Sequence, residues 1–277
     1  MPARARRAPL VTLSSDLGAA YAAQMKAVLV GSVPPGRLVD LSHELRPHDV
    51  DEAAFVVRAM ASRFPAGTVH VVVVDPGVGG RRRPLAVACR DGSALIGPDN
   101  GVLAPLAEAL GGGQAYRIDP ARLGSRARVG TTFDGRDLFA PAAARLASGW
   151  PPRRLGPPVR LGVRRRRPPR STGRGAEGSV VHVDRFGNLI TDIPTGWVPA
   201  GLRRVEVAIG QLRRDVPWVA SYEAAGPGRL AALGSSFGTL ELAVAEGNAA
   251  RRLGVRVGVR VRWRWPAPRR SATRRKG

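Results

Sequence analysis

The sequence predicts an α/β chain in two parts, an N-terminal layered α/β domain followed by a smaller C-terminal antiparallel β-barrel-like domain. Three observations lead there. Up to Gly149, apolar strand-like runs alternate with helix-like stretches. Across 156–178 the chain becomes rich in Pro, Arg, Gly and Ser and loses its periodicity. Beyond that the signals are nearly all strand-like, and in 255–265 apolar and basic residues alternate, as in a half-exposed strand with its arginines outward.

Residues 9–14 read as a short strand, 21–30 as a helix, 38–42 as a strand and 51–64 as a helix. The run 69–74 is apolar and β-branched apart from His70, the pattern of a strand buried on both faces. Two more strands, 85–89 and 94–96, flank an Asp91-Gly92 turn. A helix over 102–110 is closed by glycines, and another over 136–148 ends at Gly149 and two prolines. Further strands are expected at 179–183, 204–209, 240–244 and 255–265, with a helical turn at 248–253. The chain therefore divides into an α/β domain (8–160), an Arg/Pro/Gly-rich linker (161–177), a β domain (178–265) and a basic disordered tail (266–277).

A length of 277 residues allows two packed cores, and 44% hydrophobic residues is an ordinary globular composition. The net charge of +23 is almost all arginine, since the lysines are Lys26 and Lys276 alone. Many arginines fall in easily exposed places: Arg4, Arg6 and Arg7, Arg164 to Arg167, and Arg269, Arg270, Arg274 and Arg275. That distribution predicts polyanion binding at low salt and no specific nucleic-acid partner. Cys89 lies in an apolar run and reads as core. No stretch has the length of a membrane span or the pattern of a signal peptide, so a cytoplasmic protein is expected.

Several loops carry groups capable of chemistry. Asp16, in Ser15-Asp16-Leu17-Gly18, follows the first strand, and two readings stay open: a holder of sugar hydroxyls, or a helix-start aspartate. The segment 75–82, Asp-Pro-Gly-Val-Gly-Gly-Arg-Arg, puts Asp75 at the tip of a buried strand, with Arg82 returning as its partner. Pro98-Asp99-Asn100-Gly101 reads mostly as a turn and N-cap. In 131–137, Asp134 precedes a helix, where negative charge is favoured, and Arg136-Asp137 reads as a local ion pair. Further on, 184–188 (Asp-Arg-Phe-Gly-Asn) sets an aromatic and an amide either side of a glycine, suited to a purine or to a plain hairpin. The loop 234–238, Gly-Ser-Ser-Phe-Gly, is equally open. His43, His48, His70 and His182 show no metal-ligand spacing, so neither a metal nor a cofactor is expected. No Gly-x-Ser-x-Gly elbow and no dinucleotide fingerprint occurs.

In this order the segments resemble the S-adenosylmethionine hydroxide adenosyltransferase family, which is related to the fluorinases and chlorinases. The resemblance rests on 38–43 (Leu-Val-Asp-Leu-Ser-His), 64–84, 97–101, 133–141, 184–188 and 236–241 (Ser-Phe-Gly-Thr-Leu-Glu). It implies a homotrimer with ligand sites between subunits, and a hydrolase placing water or hydroxide on ribose C5′ of S-adenosylmethionine. Asp75, Arg82 and Asp134 would then be the catalytic set. Asp16 would hold the ribose hydroxyls, Asp184, Phe186 and Asn188 the adenine side, and Ser236 and Phe237 would help place the ligand. The chain departs from the family pattern at Asp134, where the hydrolases have histidine, in a shorter loop after Asp16, and at Asp192, where asparagine is common. These departures leave an alternative, a catalytically weakened protein binding S-adenosylmethionine or adenosine. The 75–79 loop is of the hydrolase kind, which disfavours halogenation.

Overall fold

A computed structural model of the chain describes residues 8–124 and 132–265. Thr131, the arginines before residue 8 and the expected tail at 266–277 lie outside the described residues. The chain forms two compact units, Met1–Arg165 and Arg166–Gly277.

The first unit is built on a seven-stranded sheet in the order β2-β1-β3-β5-β4-β6-β7. Its strands are β1 (Val11–Ser15), β2 (Leu38–Ser42), β3 (Val69–Val73), β4 (Pro84–Cys89), β5 (Ala94–Pro98), β6 (Gly113–Arg117) and β7 (Pro158–Val159). β1 pairs in parallel with β2 on one side and with β3 on the other, and β3 continues in parallel to β5. β4, β6 and β7 are antiparallel additions. The strand order therefore reverses at β1, and crevices of this kind at the carboxyl ends of parallel strands are where open α/β sheets bind ligands.

Helix α1 (Gly18–Leu29) crosses from β1 to β2, and α2 (Val50–Ala61) from β2 to β3. α2 is closed at its start by Asp49, whose side chain accepts from the Glu52 amide. α3 (Ala104–Ala109) follows β5, and α4 (Ala140–Ala147) is entered through one π-helical turn, Gly135–Phe139. Alternate residues of β1 and β3, namely Val11, Leu13, Val69, Val71 and Val73, pack with Met25 and Leu29 of α1 and with Phe139, Ala143 and Leu146. β3 is buried along its whole length, as its apolar run predicts.

The second unit is a near-barrel antiparallel sheet ordered β12-β11-β15-β9-β10-β14-β13, with β8 paired to β9 off that path. The strands are β8 (Arg170–Ser171), β9 (Gly175–Val183), β10 (Leu189–Pro194), β11 (Arg204–Ile209), β12 (Leu212–Pro217), β13 (Leu230–Gly234), β14 (Thr239–Val244) and β15 (Arg260–Arg264). Trp218, just past β12, bridges to Ala232 of β13, so the two ends of the path meet. β15 turns Val261 and Trp263 into the core and Arg260, Arg262 and Arg264 outward. Two short helices, α5 (Tyr222–Ala225) and α6 (Ala249–Leu253), lie on the connections.

The structure corrects some element bounds. The last strand starts at Arg260 and not at 255. β9 starts at Gly175, four residues before the expected strand, because Glu177 is held by Arg170 and Arg262 on the strands either side. At Gly175 a Cβ would run into the Trp263 carbonyl, so only glycine fits the close approach of β9 to β15.

Candidate active site

β3 delivers Asp75 two residues beyond its end, where the chain breaks into a tight turn: the Val78 amide bonds the Asp75 carbonyl and the Gly80 amide the Gly77 carbonyl. Gly77 keeps the turn narrow, since a Cβ there would lie 3.3 Å from Arg82 Cγ. Arg82 is thereby folded back on the strand end. Its Nε donates to Asp75 Oδ2 at 2.8 Å and its Nη2 to the same oxygen at 2.5 Å. Nη2 also donates to Asp134 Oδ2.

All three side chains are withdrawn from water, with exposures of 12% for Arg82, 5% for Asp75 and 2% for Asp134. Burial opposes the charge on Arg82, but the hydrogen bonds and charges of Asp75 and Asp134 outweigh it and raise its pKa above the ordinary value. The guanidinium also lies 5.7 Å from the Phe139 ring centroid. Asp134 is brought in by the π-helical turn that follows it. At Gly135 a Cβ would meet the Phe133 ring at 2.6 Å and Met25 Sδ at 3.1 Å, so the turn packs tightly onto α1.

Among the described residues at the carboxyl ends of β1 and β3, two buried carboxylate oxygens have no hydrogen-bond partner: Asp75 Oδ1 and Asp16 Oδ1. Leaving such atoms unsatisfied costs roughly 1–3 kcal/mol or more each, which a ligand's donors would recover. Asp16 follows β1 and Asp75 follows the adjacent β3, with Ser15 paired to Val73. Asp16 does not cap α1, whose N-cap is Leu17 with no side-chain bond; its Oδ2 accepts from the His48 amide at 2.9 Å. The helix-start reading of Asp16 therefore falls. Asn100 likewise does not cap α3: its Nδ2 donates to the Val74 carbonyl at 2.8 Å, beside Asp75, and its Oδ1 accepts from the Val102 amide. Arg136 pairs with Asp137 at 2.6 Å, the local ion pair expected.

In the second unit, Asp184 organises the turn after β9. Its Oδ1 accepts the amides of Phe186 and Asn188, both at 2.9 Å, and its Oδ2 accepts Asn188 Nδ2 at 3.0 Å. Asn188 is 5% exposed while Phe186 stands 68% exposed, which leaves Phe186 the free aromatic face of this turn. The hairpin between β13 and β14 is closed by Ser235 Oγ, which accepts from the Phe237 amide, and the Phe237 ring lies 5.6 Å from that of His182. The pairing of β10 with β14 sets the two turns at opposite ends of those strands, and the Phe237 ring reaches back to β9 at His182.

Sequence reasoning missed Tyr222 and assigned no role to Glu241. The Tyr222 hydroxyl donates to Glu241 Oε1 at 2.7 Å. Burial, with a contribution from the Asp184 charge, raises the Glu241 pKa in spite of that bond. Nothing local in the sequence marks Tyr222; Glu241 carried one signal, a carboxylate inside an otherwise apolar strand.

The fold and the buried carboxylate–guanidinium–carboxylate centre define an α/β protein with a charged centre at the carboxyl ends of parallel strands. Residues 11–156 match the SAM hydroxide adenosyltransferase N-terminal domain and 178–262 the C-terminal domain. The chain belongs to the SAM hydroxide adenosyltransferase family. It is similar to the (R)-S-adenosyl-L-methionine hydrolase of Thermus thermophilus, at 40% identity over 87% of this chain and 93% of the relative. The hydrolase of Salinispora arenicola is 38% identical over 92% and 97% respectively. A fluorinase of an Actinoplanes species is 29% identical over 82% and 86%. Among solved structures, a conserved protein of Thermotoga maritima superposes with a TM-score of 0.86 at 31% identity, over 92% of this chain and all 100% of that one.

Proposed function

We propose that the protein hydrolyses S-adenosyl-L-methionine to adenosine and L-methionine by attack of water or hydroxide at ribose C5′. Its similarity to curated S-adenosyl-L-methionine hydrolases supports the overall reaction. The observation that carries the mechanism is Asp75: one oxygen is fastened to Arg82 and the other, Oδ1, is buried without a partner. A carboxylate fixed in that way holds a water by one hydrogen and takes its proton as the new bond forms.

The water oxygen bonds C5′ while the C5′–S bond breaks, and the electron pair of that bond returns to sulfur. The sulfonium leaves as neutral methionine thioether, so no acid need assist its departure. The proton lost by water passes to Asp75 and on to solvent. With two carboxylates around one guanidinium, the centre carries one net negative charge, which favours a cationic substrate. Arg82 and Asp134 are then the frame that aims Asp75. Asp16 takes the ribose hydroxyls, Phe186 and the Asp184–Asn188 turn the adenine, and Ser236 and Phe237 help place the ligand, all in the arrangement the family resemblance implies. The working form is a homotrimer, which light scattering on the purified protein tests.

The deciding experiment is chromatographic product analysis of S-adenosylmethionine incubated with the protein and with Asp75→Asn. Equimolar adenosine and methionine from the parent alone supports the reading, and unchanged substrate at high protein concentration from neutral to alkaline pH sinks it. A second reading, a binding protein with little turnover, is favoured by Asp134: a carboxylate bonded to Arg82 stands where the hydrolases carry histidine. Calorimetric binding of S-adenosylmethionine or adenosine without product would select it.

A further inference from the structure

We propose that His43 is a positioning residue that holds Asp16 in place for the two ribose hydroxyls, a role that rests on the nucleoside-binding reading above. The starting point is a hydrogen-bonded chain beneath the β1–α1 loop. Ser15 Oγ lies 2.8 Å from His43 Nδ1, His43 Nε2 lies 3.0 Å from Asp40 Oδ1, and Asp40 Oδ2 accepts from Lys26 Nζ at 2.8 Å.

Serine, histidine and aspartate in that order of bonding is the pattern of a nucleophilic triad. Here it is not one. Ser15 is 0% exposed, so its hydroxyl meets no substrate. The chain acts instead on the backbone around it.

His43 grips both flanks of Asp16. Its ring bonds the Ser15 side chain, and its carbonyl accepts the Gly18 amide at 3.0 Å. The residues that follow complete the hold: the Leu45 amide bonds the Ser15 carbonyl, and the His48 amide bonds Asp16 Oδ2 at 2.9 Å. His48 presents that amide from a left-handed backbone, with φ of 65°, a conformation that a residue with a Cβ adopts at some cost. Segment 43–48 is thus a cradle around Asp16.

Asp40 sets the direction of the bonds. Burial raises its pKa, but the hydrogen bonds and charges of Lys26 and His43 lower it by more, so the carboxylate stays ionised. It accepts from Nε2, and in the neutral ring that arrangement makes Nδ1 the acceptor for the Ser15 hydroxyl. What the cradle leaves unsatisfied is Asp16 Oδ1, buried and without a partner. A vicinal diol supplies the donors that atom lacks, and the adjacent Oδ2 is already committed to His48.

The test compares adenosine with 2′,3′-dideoxyadenosine by calorimetric titration of the full chain, for wild type, His43→Ala, Ser15→Ala, Asp16→Ala and His43→Ala/Asp16→Ala. Ser15→Ala removes the link to the ring at almost no change of volume and guards against a folding defect in His43→Ala. Wild type is expected to prefer the diol by about tenfold or more. Both single cradle variants are expected to lose most of that preference by weakening adenosine alone, and the double variant to bind no worse than Asp16→Ala. Equal weakening of both nucleosides, additive losses, or an unchanged preference overturns the positioning role. Adenosine production from S-adenosylmethionine by wild type, alongside any of those results, leaves the proposed function standing while this inference falls. A wild type that binds neither nucleoside overturns this inference, and product analysis decides the proposed function separately.

Discussion

Arg82 Nη2 reaches Asp134 across 52 residues of sequence while the same nitrogen holds Asp75, so one corner of a guanidinium joins two carboxylates. That sharing ties the end of β3 to the entrance of α4. Stability and chemistry at this centre are consequently inseparable.

Replacing Arg82 with methionine leaves two buried carboxylates facing each other without a cation. The expected loss of unfolding free energy is about 3–5 kcal/mol, as for other broken buried ion pairs. Adding Asp75→Asn and Asp134→Asn to the same chain should recover a large part of it. Urea denaturation measures both, and a loss below about 1 kcal/mol would show the cluster to be solvated.

Asp134→His tests what the family histidine contributes. The variant gains a group that titrates near pH 6.5 in an unperturbed setting. Its pH–rate profile should therefore acquire a limb in the neutral range that wild type lacks. Superimposable profiles would mean that position 134 only fills space.

His70 gives the fold an acid-sensitive element. It is 1% exposed, bonded through Nδ1 to Thr12 Oγ1, and burial lowers its pKa from 6.5 to about 4. Between those values the unfolded chain binds a proton that the native chain refuses, so stability falls as pH falls. The full effect is roughly 3 kcal/mol, complete near pH 4. His70→Gln should flatten this part of the stability curve, and denaturation midpoints from pH 7 to 4 report the difference.

Asp192→Asn is expected to stabilise the protein at neutral pH. Burial, partly opposed by the Ser179 amide and by Arg166, raises the Asp192 pKa. A raised carboxylate pKa means the native state favours the protonated form, so the charge is a cost above it. Asparagine keeps the acceptor for the Ser179 amide, 2.8 Å away, without that charge. A melting temperature equal to or below that of wild type at pH 7 would contradict this.

Legibility in the sequence followed burial. β3 was readable because Val69, Val71, Val72 and Val73 are all buried and β-branched. β6 was not, because only Ala115 of its five residues is buried and no alternation results. β12 presents Leu212-Arg213-Arg214-Asp215 at the end of the sheet path, mostly exposed, and β13 is alanine-rich, so neither pattern signals a strand. In the site, Asp75 and Arg82 were legible as a pair because one turn joins them. The bond to Asp134, the grip of His43 and the Tyr222–Glu241 contact arise only when distant segments meet, and no local pattern encodes them.

The pairing of Ser15 with Val73 decides where the chain can change length without disturbing the two carboxylates. Asp16 and Asp75 are spaced from the carboxyl ends of their strands, so chain length added or removed at the amino ends leaves their separation untouched. A single-residue insertion between Val73 and Asp75, by contrast, would change the reach from the strand end to the carboxylate. The lower rim of the sheet therefore tolerates changes of chain length that the upper one does not.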